Sequence, residues 1–409
     1  MALARTFVVW VVTAATVSLA PAASAATTVD WRRDLGRELH AVAVDGEGNA
    51  YVTGYVVTGT RRLRTLVVAK YGPGGSKRWT ETWRPVAGSE TFGNDVEIDP
   101  GGRVYVTGQV LSTNESGGAG WFVRAYGPGG ELRWHRDAEG WREGPRTSVG
   151  TAVDAARGLV VISVSKFGDG GFRDGSLRAF RTDGSLRWTD PFEVPGLATY
   201  DLATGVVIGG RGSVFAVGQM DQKRATVDRP VVDQEILVQR LDGGGNLTWI
   251  LVMRDRGVRD ADTAISVAKR GNVLAVAGRV DGGPVTGSQA QRGNAWLGRI
   301  ALGGGLRWQL AWGEANRRAA EPADVSIGPG GRIHVVGIVR GAGDGVDAFL
   351  RSFGPDGKRR AGLRSSSGRF LHGTGVATSD SGGSLWLTVW RGDHDTDRPA
   401  GGSLWRLRP

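Results

Sequence analysis

The densest run of chemically capable side chains is Asp393-His394-Asp395-Thr396-Asp397, with three carboxylates at alternate positions. A calcium loop opens in this way, because a flexible turn must aim several hard oxygens at one ion. The pattern then breaks: Arg398 and Pro399 stand where the turn glycine belongs, and no Glu follows to chelate from the far side. Glu38 and His40 would be the completing ligands if calcium sat at Asp393, Asp395 and Asp397. A solvated acidic loop is the simpler reading and the preferred one, so no cofactor is expected. Other chemistries lack their residues. The absence of cysteine removes thiol nucleophiles and Cys-ligated metals. The five histidines (His40, His135, His334, His372 and His394) form no metal-spaced pair, and no Gly-x-Ser-x-Gly elbow or phosphate-binding glycine loop precedes a helical pattern.

The elements that would position these residues are legible as a repeat. Roughly every fifty to sixty residues a phrase returns: an alternating apolar stretch, a Gly-rich turn, a Val-rich strand, a variable loop, a third strand, a second Gly turn and a fourth strand bearing Trp. The first turn and its strand occur at 45–54, 100–108, 158–164, 212–218, 271–278, 331–337 and 383–389, which makes seven copies. The second hairpin places Gly72-Pro-Gly-Gly75 before Trp79 and Gly127-Pro-Gly-Gly130 before Trp134, with further copies before Trp188, Trp249 and Trp308. The sixth copy has Ala361 at the Trp position. Short β-type stretches at regular spacing, with no helical periodicity between them, predict an all-β, seven-bladed β-propeller with four antiparallel strands per blade.

The chain ends refine that prediction. The seventh copy stops after its third strand, 402–408, while Thr28-Val-Asp-Trp31 has the look of a fourth strand with its Trp in register. The last blade is therefore expected to be closed by the N-terminal strand, which removes the open edges of an unclosed array.

The phrase from Val44 to Trp79 and again from Ile98 to Trp134 resembles the bacterial seven-bladed propeller repeats of the SBBP type. The likeness is clear in blades 1 and 2 and degraded in blades 3, 6 and 7. It implies the fold and a secreted or surface-associated protein, and it carries no catalytic motif from which a residue could be transferred.

In such a ring the inner strands line a channel. Their entries carry His40, Asn94, Asp95, Asp201, Asp262, Asp324 and His372, which form the candidate ligand-binding residues at the channel mouth. The competing reading is that they hold water and bond the backbone of the neighbouring blade. On the same face lie the variable loops 58–64, 112–118, 166–174, 220–232, 280–293 and 392–401. The Trp residues at one repeat position are expected to pack between blades, leaving Trp121, Trp141, Trp296 and Trp390 as ligand-contact candidates.

The first residues read as an export signal: Arg5, the apolar stretch from Phe7 to Leu19, then Pro21-Ala22-Ala23-Ser24-Ala25, a small-residue cleavage pattern. Two regions are expected, 1–25 as signal peptide and 26–409 as one propeller domain, giving a protein outside the cytoplasm with no membrane insertion. The net charge of +10 comes with 45 arginines, scattered one or two at a time, and only six lysines; the longest basic cluster, Arg61-Arg62-Leu63-Arg64, falls in a loop, so a nucleic-acid partner is not expected. A monomeric, non-catalytic scaffold for an unknown protein, glycan or cell-envelope ligand is the leading expectation. A propeller-type enzyme, either a quinone-dependent dehydrogenase or a carbohydrate or lactone hydrolase or lyase, is the alternative.

Overall fold

A computed structural model describes residues 9–13, 25–113, 118–138, 147–167, 173–197, 199–223, 232–254, 262–280, 294–313, 319–340, 346–365, 370–379, 384–392 and 401–408. These form seven four-stranded antiparallel sheets arranged as blades around one channel. Blade 1 holds Glu38–Val44, Ala50–Thr58, Leu63–Tyr71 and Lys77–Trp83, from channel to rim. Blades 2 to 6 span 89–137, 147–192, 199–254, 263–312 and 320–365. Blade 7 takes three strands from 370–408 and its outer strand, Thr28–Asp34, from the other end of the chain. The expected closure is present, with Thr28 opposite Arg408 and Asp34 opposite Ser403.

The core lies between blades. The second and third strands are Val-rich and buried on both faces, as in Leu66 to Ala69 and Val104 to Val106, all fully covered. The outer strands of blades 1 and 2 expose most of their polar side chains and half-bury their tryptophans, as suits a sheet edge facing water.

One contact repeats around the rim. The outer-strand Trp of six blades lies over the positive-φ Gly of the next blade's outer hairpin: Trp31 on Gly75, Trp79 on Gly130, Trp134 on Gly184, Trp188 on Gly245, Trp249 on Gly304 and Trp308 on Gly357. Each of these glycines has positive φ. At Gly184 an added Cβ would also sit 2.6 Å from the Trp134 ring, so neither backbone nor space admits a side chain. Five of the indoles donate to a carbonyl in the same turn: Trp31 to Pro73 (3.3 Å), Trp79 to Pro128 (3.0 Å), Trp134 to Thr182 (2.9 Å), Trp249 to Leu302 (3.1 Å) and Trp308 to Pro355 (2.9 Å).

The missing Trp of blade 6 now has a cause. Blade 7 joins its third and fourth strands from opposite chain ends, so it has no outer hairpin for a Trp to cover. Instead the incoming chain passes blade 6, with Ala25 and Ala26 paired in parallel to Ala361 and Gly362. Further upstream, Val9–Thr13 lies as a fifth strand on blade 4, parallel to Leu247–Arg254.

Candidate functional site

The channel, a cavity of about 390 Å³, is lined by the inner strands of all seven blades. Each inner strand carries one β-bulge at an equivalent position, centred on His40, Asn94, Thr151, Thr204, Ile265, Ala323 and Thr374. A bulge turns the extra residue out of the ladder and re-aims its side chain. Here it aims the side chain at the next blade. His40 Nδ1 bonds Gly93 O at 2.8 Å, Asn94 donates to Gly150 O at 2.9 Å, and Thr151 to Ala203 O at 2.7 Å. Thr204 donates to Ala264 O and Thr374 to Leu39 O, both at 2.8 Å. Every acceptor is the carbonyl just before the next blade's bulge.

Blades 5 and 6 have Ile265 and Ala323 at this position and cannot make the bond. The residue that follows takes over: Ser266 Oγ donates to Asp324 Oδ1 at 2.7 Å, and Asp324 Oδ2 accepts from Val376 N at 2.8 Å. All seven junctions of the ring are thus clasped.

Two more carboxylates do the same. Asp95 accepts from Val96 N and, across the junction, from Val153 N at 2.9 Å. Asp154 accepts from Ala155 N and from Ile208 N of blade 4. Glu97 lies beside them and bonds only the amide of Ile98 among the described groups. These four acids sit recessed in the channel, ringed by protein while still touching its space. Burial pushes the Asp95 carboxyl up to about 7, with the charge of Asp324 across the channel adding to it. Burial likewise raises Asp154 and Asp324 to about 6. Glu97 is raised by burial and by the charges of Asp154, Asp95 and Asp324. Lys269 offsets part of the effect at Asp154.

Two residues before each bulge, the rim divides. Blades 2, 3 and 4 present Phe92, Val149 and Leu202, blade 5 presents Thr263, and blades 6, 7 and 1 present Glu321, His372 and Glu38, all half-buried. Glu321 pairs with Arg340 at 2.9 Å, and His372 stacks on Trp390 at 4.6 Å between ring centroids. Burial and the charge of Arg340 hold the His372 imidazole below its ordinary range. Glu38 receives bonds from His40 (3.2 Å) and from the Tyr55 hydroxyl. Burial alone would raise the Glu38 carboxyl, but these bonds and the charges of His40 and Arg64 outweigh it and hold it below its ordinary value. Arg64 lies over the Tyr55 and Phe92 rings, 5.4 and 5.1 Å from their centroids.

The seven residues expected at the mouth occupy four levels of the channel rather than one. His40 and Asn94 are bulge residues, Asp95 and Asp324 follow a bulge, His372 stands two residues before one, and Asp201 and Asp262 three before. Asp201 is buried and accepts from Thr199 Oγ1 at 2.8 Å; Asp262 is buried beside blade 4, its amide bonded to Gln234 O. Asp393, Asp395 and Asp397 lie outside the described residues, as do Trp141 and most of the variable loops. Among the described residues no three His, Asp or Glu side chains converge as a metal would need, and no helix is long and apolar enough to cross a membrane. Trp121 and Trp296 are 5% and 4% exposed, which makes them core residues. The sequence reading missed Thr151, Thr204, Thr374, Glu97 and Asp154. A signal existed: each lies at a fixed offset from the one inner-strand position that is Val in every blade (Val42, Val96, Val153, Val206, Val267, Val325 and Val376).

The architecture is that of a seven-bladed β-propeller, and comparison with solved structures agrees. The polysaccharide lyase Uly1 is similar with a TM-score of 0.51 at 12% identity, covering 91% of this chain and 90% of that one. An ulvan lyase of family PL25, solved bound to -[GlcA(1-4)Rha3S]-, is similar with a TM-score of 0.51 at 10% identity, covering 90% and 95%. At this identity the likeness is one of fold. No protein-family model and no curated protein matches the chain.

Proposed function

We propose that the protein is an extracytoplasmic, non-catalytic binding scaffold, exported through residues 1–25, that holds a protein, glycan or cell-envelope ligand across the mouth of its channel and the variable-loop face. The observation that carries this reading is the divided rim. Phe92, Val149 and Leu202 offer an apolar half, while Glu321, His372 and Glu38 offer donors and acceptors opposite, a combination that both binds and orients a ligand. The SBBP-type resemblance, carried by the repeat phrase of blades 1 and 2, agrees with an exported scaffold.

The reading is tested by glycan-array and pull-down screening with and without calcium, followed by Phe92→Ala and His372→Ala in the best-captured pair. Each variant should weaken capture by about tenfold, the scale of one lost anchor. An absence of any ligand, or capture indifferent to both variants, would defeat the reading. The calcium arm tests Asp393, Asp395 and Asp397.

A second reading, a propeller-type hydrolase or lyase acting on carbohydrate or lactone, is favoured by the Asp95 carboxyl, whose protonation changes near neutrality as general acid–base catalysis needs. Turnover abolished in Asp95→Asn, with folding intact, would select it over the scaffold.

A further inference from the structure

We infer that the outer edge of blade 4 is a strand-addition site for an extended, uncharged, β-branched segment of a partner protein. Outer strands of a propeller are sheet edges, and an edge is normally defended by charge or proline. Most of the others here are, blade 5 being the exception with Arg307 alone in Leu306–Trp312. Blade 1 carries Lys77, Arg78 and Glu81 along its edge, blade 3 carries Pro191, and blade 7 carries Asp30, Arg32 and Arg33. The blade 4 strand instead reads Thr-Trp-Ile-Leu-Val-Met from 248 to 253, with its one charge at the terminal Arg254.

Its side chains are already held from both sides. Ile250 and Val252 belong to the cluster shared with Leu177 of blade 3, and Leu251 and Met253 to the cluster shared with Leu274 of blade 5. The strand is therefore rigid, and what it offers outward is a row of backbone donors and acceptors with an apolar fringe. Strand addition takes affinity from that row and specificity from the alternate side chains beside it.

Residues 9–13, Val-Trp-Val-Val-Thr, show what fits: five consecutive parallel pairs, from Val9 opposite Ile250 to Thr13 opposite Arg254. Two copies of the chain related by a two-fold axis would pair this same edge antiparallel, so the parallel register points to a separate segment rather than to a second copy. The inference rests on the reading that residues 1–25 are removed, which bares the edge. Residues 28–408 contain all four strands of all seven blades, so a chain beginning at Ala26 keeps the whole ring.

The test mixes the chain from Ala26 with a labelled peptide of residues 7–15, flanked by lysines for solubility, and follows fluorescence anisotropy. Saturable binding is expected, weakened at least about tenfold when the peptide carries Val11→Pro, because proline removes a donor and breaks the pairing without touching the protein. The full chain should not bind, and the full chain with Val11→Pro should regain binding. Equal binding of both peptides would mean unspecific apolar adsorption and overturn the inference. So would a folded chain from Ala26 that ignores the peptide, or one that forms concentration-dependent dimers in its place. Mass spectrometry of the N-terminus of the released protein reads the removal of residues 1–25 separately.

Discussion

Asp95 and Val153 stand on adjacent blades, and the carboxylate of the first accepts the backbone amide of the second at 2.9 Å inside the channel. The same relationship links Asp324 to Val376 and Asp154 to Ile208. These carboxylates are joined to the scaffold, so their ionisation is coupled to the stability of the ring.

That arrangement fixes the sign of a pH dependence. A carboxyl whose folded-state pKa lies above its unfolded value near 3.8 binds its proton more tightly in the native protein, so its contribution to stability is largest below about 4 and is lost as pH rises through the folded value. For Asp154 and Asp324 that loss is complete near 6, and for Asp95 near 7. Calorimetry should show the melting temperature falling by several degrees between pH 5 and pH 8 through these groups. Asp95→Asn should flatten the slope, and an unchanged slope would refute the assignment.

The rim contact predicts a difference between two glycines of nearly equal backbone angle. Gly184 (φ +83°) lies under Trp134, whereas Gly196 (φ +82°) has nothing within 4 Å of an added Cβ. Gly196→Ala should cost about 1 kcal/mol for its positive φ alone, and Gly184→Ala about 2–4 kcal/mol, because overpacking adds to it. Urea titration of both variants measures the gap.

Ring closure through Trp31 predicts the effect of truncation. Trp31 packs edge-on against Trp386 with centroids 5.2 Å apart and covers Gly75 of blade 1. Removing residues 26–36 takes away the outer strand of blade 7 and should lower the thermal midpoint by more than 10 °C, or about 3–5 kcal/mol for the Trp alone. A truncated chain that melts like the intact one would show that the strand is a free tail.

The Thr clasp can be extended to blade 5, where Ser266 and Asp324 now make the link. Thr at the blade 5 bulge, introduced as Ile265→Thr, should reach the carbonyl of Pro322 as Thr204 reaches that of Ala264, stabilising by about 0.5–1 kcal/mol. Thr151→Val at an intact junction should cost about 1 kcal/mol by removing one of the two donors to Ala203 O, which Ser165 Oγ still bonds at 3.0 Å. Chemical denaturation of the pair reads both signs.

The amino-acid sequence alone determined the blade count, the four strands, the Gly turns, the inter-blade role of the in-register tryptophans and the closure by Thr28–Asp34. These depend on local periodicity and turn chemistry, which each repeat states again. It also showed Ala361 breaking the Trp series but not why. Only the closed ring reveals that the neighbouring blade has no hairpin to cover. The channel was decided by tertiary structure for a related reason. His40, Thr151 and Thr374 are unlike in sequence, and they share a role because a bulge aims each at a carbonyl fixed by the adjoining blade. Residues near the inner-strand entries could be picked out as polar, but which level of the channel each occupies, and whether its bonds go to a ligand or to the next blade, depends on a geometry that exists only once the seven sheets are packed around a common axis.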